Sequence, residues 1–417
     1  VEAALAGRET CALVLLDLDN FKDINDRHGH IVGDKVLQTF ADRIRSEAVA
    51  NNGIAARLGG DEFAIFLKTD NLRFLRLFCD ALLELCNQPI RIGNVTIRGG
   101  FSGGLATSTQ LSISQEVGME DLMRVADFAL YASKAAGRGC YTLYDSDLEA
   151  QFNVRRELLR AMPKAIETGE IEVFFQPKVD LVTGLTVSFE ALARWRRDGR
   201  LLQPAEFITI AEETGMIIGL DEHMLDAAVE TIASWNARHG TEYSVSVNLS
   251  ALHFRSSGSL AFVKETLDRH GLPPRLLTLE ITESVQLANW SEVGRAVASL
   301  RALGCRIAID DFGAGFSSLA YLRMISADEL KIDRALVREI ASSDQAQFIL
   351  DAVLELAEHL GLDVVVEGVE DREQHLRLRE MGCRVGQGYF FCRPIPAEEA
   401  LTRATAELTD DSSASAS

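Results

Sequence analysis

Arg306-Ile307-Ala308-Ile309-Asp310-Asp311 is a short apolar run that stops on two carboxylates, and Leu277-Thr278-Leu279-Glu280 upstream of it stops on a third. Runs of this kind recur with helical spacing between them: Val173 to Val179, Val187 to Leu192, Tyr243 to Leu249, Leu277 to Ile281, Arg306 to Ile309, Glu329 to Ile332, Asp363 to Val366 and Val385 to Phe391. Eight strands in a repeating β/α order predict a TIM-type barrel over residues 161–404. In such barrels the chemistry sits at the C-terminal strand ends, so the polar residues there are the informative ones. In order they are Gln176, Glu190 with Arg194, Asn248, Glu280 with Glu283, Asp310 with Asp311, Lys331 with Asp333, Glu367, and Gln387.

One polar residue at a strand end means little, because loops are polar and helix caps favour Asp, Asn and Ser. Eight strands ending this way are another matter. Five converging carboxylates without counter-charge would repel one another and take up protons, so cations are implied. The donors are all oxygen, with no His or Cys among them, which favours Mg²⁺ or Mn²⁺ over zinc. Adjacent Asp310 and Asp311 could bridge or separately hold two ions about 3.5–4 Å apart, the arrangement that stabilises an in-line phosphoryl displacement. The reaction class is then phosphodiester hydrolysis. Lys331 can position and polarise a water, Glu367 can be the general base or a second-ion ligand, and Arg194 suits a bidentate grip on phosphate.

Outward from the barrel, residues 1–145 alternate strands and helices: an apolar run from Cys11 to Leu16, a helical pattern from Gly33 to Glu47, and a hairpin around Gly59-Gly60. They predict a smaller α/β domain. Residues 146–160 read as a helical linker, since apolar positions from Arg155 to Ile166 recur at helical spacing. Residues 405–417, low in apolar content, read as a disordered tail.

A chain of 417 residues suits two domains, and 47% hydrophobic with 25% charged residues is a globular composition. A net charge of -20 argues against a broad hold on a nucleic acid polymer, so an anionic ligand would need metal ions or local Lys and Arg. The seven scattered cysteines, with no C-x-x-C pair, read as reduced thiols of a cytoplasmic protein. No stretch approaches the ~20 apolar residues of a membrane span, so no membrane contact is expected of this segment; a sensor or membrane anchor ahead of Val1 stays open.

In the N-terminal domain Asp17 and Asp19 lie two apart on a strand and share a face, while Gly59-Gly60-Asp61-Glu62 puts two acids at a hairpin turn. An acidic turn alone is usually a solvated turn; paired with Asp17 it suggests a two-metal nucleotide site.

These motifs carry two family resemblances. Glu190-Ala191-Leu192-Ala193-Arg194-Trp195, Asn248-Leu249-Ser250, Leu279-Glu280-Ile281-Thr282-Glu283-Ser284, Asp310-Asp311-Phe312-Gly313-Ala314-Gly315-Phe316-Ser317-Ser318-Leu319, Lys331-Ile332-Asp333, Glu367-Gly368-Val369-Glu370 and Gln387-Gly388-Tyr389 resemble the EAL phosphodiesterases. That family hydrolyses cyclic di-GMP to linear pGpG with Mg²⁺ or Mn²⁺. The resemblance implies that Glu190, Asn248, Glu280, Asp310 and Asp311 are metal ligands, with Lys331, Glu367 and Gln387 completing the catalytic set and Gln176 and Arg194 at the substrate. Glu283 would brace the loop Asp311 to Ser318, which lies near the family's dimer interface. Ala314 and Phe316 stand where Thr and Tyr are often found and touch no ligand.

Asp17-x-Asp19-x-Phe21-Lys22-x-x-Asn25-Asp26, Gly33-Asp34, Gly59-Gly60-Asp61-Glu62-Phe63 and Lys134-x-x-Gly137-Arg138 resemble the GGDEF diguanylate cyclases, which have a palm-like, nucleotidyl-cyclase-type fold. These join two GTP molecules, one on each of two facing domains, so a homodimer is implied. By position Asp17 and Asp61 would bind Mg²⁺, Glu62 would assist the metal or the 3′-hydroxyl, Asn25 and Asp34 would read guanine, and Lys134 and Arg138 would meet the triphosphate. The family's opening Asp-x-Leu-Thr-Gly-Leu-x-Asn-Arg segment is not in the sequence, which bears on folding, dimer formation and GTP placement. Where members carry the Arg-x-x-Asp of an inhibitory product site, Ala50-Asn51-Asn52-Gly53 stands, so feedback through it is not expected. Together the resemblances imply a bacterial cyclic di-GMP phosphodiesterase whose first domain makes the dinucleotide or senses GTP. The alternative is a receptor that binds both nucleotides without turnover.

Overall fold

The computed structural model describes residues 10–93, 95–111, 118–282, 290–313 and 326–414. The chain divides into two units, Val1–Glu157 and Leu158–Ser417.

In the first unit β1 (Ala12–Leu18) is followed by α1 (Phe21–His28), α2 (His30–Ala50), β2 (Ile54–Gly59), β3 (Glu62–Leu67) and α3 (Leu72–Cys86). A separate small hairpin, β4 (Ile90–Ile92) with β5 (Val95–Ile97), precedes β6 (Phe101–Thr107), α4 (Met119–Ala135) and β7 (Tyr141–Leu143). The sheet order is β2-β3-β1-β6-β7, so β1 is its centre. Alternation along β1 feeds two cores. Val14 and Leu16 pack with Val36, Phe40, Leu75 and Phe78 of α2 and α3, whereas Leu13 and Leu15 pack with Val125 and Ala129 of α4.

One helix, α5 (Ser146–Thr168), occupies the stretch read as a linker and runs past it. From Leu158 onward its apolar face, Leu158, Met162 and Ala165, belongs to the core of the second unit.

That unit is a barrel of β8 (Ile171–Asp180), β9 (Thr186–Arg197), β11 (Ser244–Asn248), β12 (Leu277–Thr282), β13 (Arg306–Phe312), β14 (Glu329–Ile332), β15 (Asp363–Val366) and β16 (Val385–Gly386), closed by pairings of β8 with both β9 and β16. A short β10 (Arg200–Leu202) folds back antiparallel on the end of β9, and β17 (Ile395–Pro396) pairs with β8. Helices α6 (Pro204–Thr214), α7 (Ile217–His239), α8 (Ala251–Arg255), α9 (Ser259–His270), α10 (Trp290–Leu303), α11 (Asp344–Leu360), α12 (Arg372–Glu380) and α13 (Ala397–Ala414) follow in chain order.

Three sequence expectations need correction. The β/α repeat does not hold at the start: no helix separates β8 from β9, and β8 runs antiparallel to both neighbours while the other barrel pairings are parallel. A tight turn makes this possible, with Asp180 Oδ1 accepting from the backbone of Val182 and Thr183 at 2.9 Å each. The eighth strand ends at Gly386 rather than Phe391, because Gly388 packs against the backbone of Val369, where a Cβ would lie 2.1 Å from a carbonyl oxygen. From Ala404 to Ala414 the chain continues α13 where an irregular tail was expected, and residues 415–417 of that tail lie outside the described residues. Leu401 and Ala404 are buried, and Glu407 accepts from the Thr186 amide (3.1 Å) and hydroxyl (2.8 Å), so the helix is tied to the barrel beyond the predicted end.

All seven cysteines are free thiols. Among the described residues no helix is long and apolar enough to cross a membrane.

Candidate functional site

Parallel strands bring their C-terminal ends to one rim of the barrel, and the predicted acids meet there. The amides of Asn248 and Gln387 donate to the two oxygens of Glu190 at 2.9 and 2.5 Å. Gln176, facing Glu190 across the β8–β9 ladder, accepts from Gln387 at 2.9 Å and donates to the Cys392 carbonyl. At the centre the buried Lys331 ammonium reaches Glu280 Oε2 (2.6 Å), Glu367 Oε1 (2.8 Å), Asp310 Oδ1 (3.0 Å) and Glu190 Oε1 (3.3 Å).

Asp310 and Asp311 pose a geometric problem, since successive strand residues point to opposite faces. The chain solves it with a register shift between Ile309 and Phe312 and a left-handed φ of 57° at Asp311, a conformation Asp tolerates better than most residues. Both carboxylates line a cavity of about 320 Å³ together with Glu190, Lys331, Glu367 and Gln387.

The electrostatics follow from burial and crowding. Burial, with Glu280 and Asp310 adding and Lys331 opposing, pushes Glu190 up to about 7. Burial likewise raises Glu367 to about 8 against the pull of Lys331. Glu280 goes the other way: burial alone would raise it, yet Lys331 and Lys178 on either side hold it down at about 2. Burial would depress Lys331, but four surrounding carboxylates lift it well above its ordinary value.

This donor set fits divalent ions. Carboxylate oxygens of Glu190, Glu280 and Asp310 lie within 4.8 Å of one another, as do those of Asp310, Asp311 and Glu367. Asp310 is common to both trios. Among the described residues Gln387 Oε1 is buried without a hydrogen-bond partner, a spare oxygen donor beside them.

Not every predicted residue joins the cluster. Arg194 is buried above the Phe174 ring, at 5.8 Å, and donates to the carbonyl of Ala193 at 2.7 Å. Glu283 and residues 314–318 of the loop it was expected to brace lie outside the described residues.

Sequence reasoning passed over three groups. Lys178 lies beneath the cluster. Arg334 lines the cavity directly after the Lys331-Ile332-Asp333 motif, so that motif was its signal. Asp221 on α7 accepts from the Ser250 amide (2.9 Å) and hydroxyl (2.6 Å), which anchors the turn behind Asn248. Burial, opposed by the bonds from Ser250, pushes Asp221 up to about 7.

Folded Asp221 thus keeps a proton between about pH 4 and 7 that the unfolded chain has released, and stability falls as pH rises through that window. An asparagine in its place would not titrate, and its amide oxygen can accept both Ser250 bonds. Asp221→Asn is therefore expected to gain on the wild type from pH 5 to pH 8 by on the order of 2 kcal/mol, or about 5 °C in melting temperature. Parallel melting curves at the two pH values would show the expectation to be wrong.

In the first unit, antiparallel pairing sets Glu62 opposite Asp17, and the Leu18 amide donates to the Asp61 carbonyl at 3.3 Å. Asp17, Asp61 and Glu62 therefore gather at one end of the sheet. Lys134 reaches Asp17 Oδ2 at 2.7 Å. Burial raises the Asp17 carboxyl, with Lys134 opposing and Asp61 and Asp19 adding. Asp19 accepts from Ser102 Oγ (2.7 Å) and the Gly139 amide (3.0 Å), tying the end of β1 to the loop that carries Arg138. Asn25 packs against Gly33 so closely that a Cβ there would lie 1.9 Å from its Oδ1. Asp34, the residue after Gly33 on α2, is exposed.

Comparison with known proteins gives a family for each unit. A family model described as EAL domain matches residues 159–394, and one described as diguanylate cyclase, GGDEF domain, matches residues 2–140. The bifunctional diguanylate cyclase/cyclic di-GMP phosphodiesterase MucR of Pseudomonas aeruginosa is 35% identical over 402 residues, covering 96% of this chain and 58% of MucR. The signaling protein YkoW of Bacillus subtilis is 37% identical over 387 residues, covering 92% of this chain and 48% of YkoW. The chain thus spans only about half the length of such relatives. Among solved structures, the PaMucR phosphodiesterase in complex with c-di-GMP has a TM-score of 0.56 at 38% identity, covering 58% of this chain and 99% of that one. The EAL enzyme Bd1971 with cAMP and cyclic-di-GMP bound has a TM-score of 0.58 at 28% identity, covering 74% and 82%. With its barrel matched throughout and its first unit matched ahead of it, the chain belongs to the EAL domain family, in tandem with a GGDEF domain.

Proposed function

We propose that the barrel hydrolyses cyclic di-GMP to linear pGpG, and that two divalent ions, Mg²⁺ or Mn²⁺, are held by Glu190, Asn248, Glu280, Asp310, Asp311 and Glu367. The observation that carries this reading is the pair of carboxylate trios sharing Asp310 around one buried lysine. Bound there, the ions supply Lewis acidity to the phosphoryl oxygens and acidify water. Lys331 donates to and orients the attacking water. Glu367, whose carboxylate lies 2.8 Å from the Lys331 ammonium, accepts the proton that water loses. Water oxygen bonds to phosphorus, one P–O3′ bond breaks, and the departing 3′-oxygen takes one proton from solvent while Glu367 returns the one it accepted, a net addition of one water; the phosphate stays on the 5′-oxygen, which is pGpG. Gln176 and Gln387 line the substrate side, and Arg194 can turn from Ala193 to a phosphate.

For the first unit we propose Mg²⁺ with GTP, held by Asp17 and Asp61, with Glu62 at the metal or the 3′-hydroxyl, Asn25 and Asp34 on guanine, and Lys134 and Arg138 on the phosphates. GTP then regulates the barrel or, across a homodimer, is cyclised. Gly33→Ala, by displacing Asn25, is expected to weaken GTP binding roughly tenfold, the worth of about one hydrogen bond to the base, with little change in melting temperature. Unchanged affinity in titration calorimetry would remove Asn25 from the guanine site.

Chromatography of products after separate incubation with cyclic di-GMP and with GTP tests both halves. Tight binding of cyclic di-GMP with no pGpG released would leave the receptor reading instead.

A further inference from the structure

Beneath the acidic cluster lies a second buried lysine that the proposed reaction does not use. Lys178 is 1% exposed, and its ammonium is bound to Ser246 Oγ (2.7 Å), Glu329 Oε1 (2.7 Å) and Glu280 Oε1 (3.1 Å). Because β8 runs against its neighbours, the step from Gln176 to Lys178 keeps the same face but moves away from the catalytic rim. Lys331 and Glu329 are likewise two apart on β14, with Glu329 on the deeper level. Glu280 therefore stands between two ammonium groups, Lys178 on Oε1 and Lys331 on Oε2. Among the described residues these are the only hydrogen-bond donors to its side chain.

We infer that Lys178 is a positioning residue for the divalent-cation site: it holds Glu280 Oε1 from below, so that Glu280 offers a single, fixed oxygen, Oε2, to an ion in the trio with Glu190 and Asp310. This rests on the reading of that trio as a cation site. Lys331 cannot supply the same restraint, since its ammonium is shared among four carboxylates at the level where the ions would sit. Without Lys178, the buried Oε1 loses its only donor among the described residues, and the carboxylate is free to turn and present either oxygen or both. Partners that orient a ligand in this way are typically worth about 10–100-fold in metal affinity.

The competing account is that Lys178 only balances the buried charge of Glu329. Three variants of the full chain separate the two: Glu329→Gln, Lys178→Met, and the two combined. The readouts are the dissociation constant for Mn²⁺ alone, from the free-ion electron paramagnetic resonance signal, and the melting temperature in chelator. Glu329→Gln keeps Lys178 in place and is expected to bind Mn²⁺ as the wild type does. Both Lys178 variants are expected to bind it about tenfold or more weakly, even though the double variant, with no unpaired floor charge, recovers most of the melting temperature. Wild-type Mn²⁺ affinity in the double variant would assign Lys178 to charge balance and overturn the inference, as would failure of both Lys178 variants to fold. A wild type that binds no Mn²⁺ would instead remove the cation site itself.

Discussion

Glu190→Ala is expected to lower pGpG release by about three orders of magnitude or more, equivalent to about 4 kcal/mol of transition-state stabilisation. The size of the effect comes from how many roles meet at one carboxylate. Glu190 belongs to the trio with Glu280 and Asp310, accepts from Asn248 and Gln387 with its two oxygens, and touches Lys331. Alanine removes a ligand and strands two amides that otherwise orient it. The fold should survive, because the deletion relieves crowding among like charges. A variant that keeps its melting temperature yet releases pGpG within tenfold of the wild type would show that the cluster is not the reaction centre.

Lys331→Met is expected to act on stability as strongly as on activity. It leaves Glu190, Glu280, Asp310 and Glu367 around a position with no cation, and unpairing buried charges of this kind costs about 3–5 kcal/mol. For a domain of this size that is roughly 10 °C of melting temperature in chelator. Excess Mn²⁺ should restore part of it, since an ion bound only by the folded state stabilises by about 2.7 kcal/mol at a hundred times its dissociation constant. Equal melting temperatures for variant and wild type in chelator would mean that the four acids do not depend on this ammonium for their balance.

Much of this was legible in sequence for one physical reason. Buried parallel strands are continuous apolar runs, and the polar residue that ends such a run lands on the rim. Glu190, Asn248, Glu280, Asp310, Lys331 and Glu367 were found that way. An apolar run does not encode its direction, however, so the reversal of β8 went unseen and Lys178, below Gln176 rather than beyond it, was not counted. Asp221 was hidden differently: it shares a helical face with Leu220, Met224 and Leu225, and nothing in that spacing marks a carboxyl that grips Ser250. The acids at Asp310-Asp311 stand out in the sequence as a pair, but the backbone turn that lets both face one cavity was not foreseeable from alternation. The last helix was missed because its polar Glu407 is held by Thr186, a partner far away in sequence.

The reversed strand has one more consequence. In a barrel whose strands all run the same way the polypeptide is threaded in from the floor, whereas here it arrives at Ile171, opposite Trp195, on the side where Glu190 and its companions open to solvent. Nine paired positions then couple β8 to β9 before the chain reaches the floor. The chain that leaves α5 at Thr168, already packed on the barrel through Leu158, Met162 and Ala165, thus joins it at the mouth of the site, on the rung ladder that sets Gln176 against Glu190.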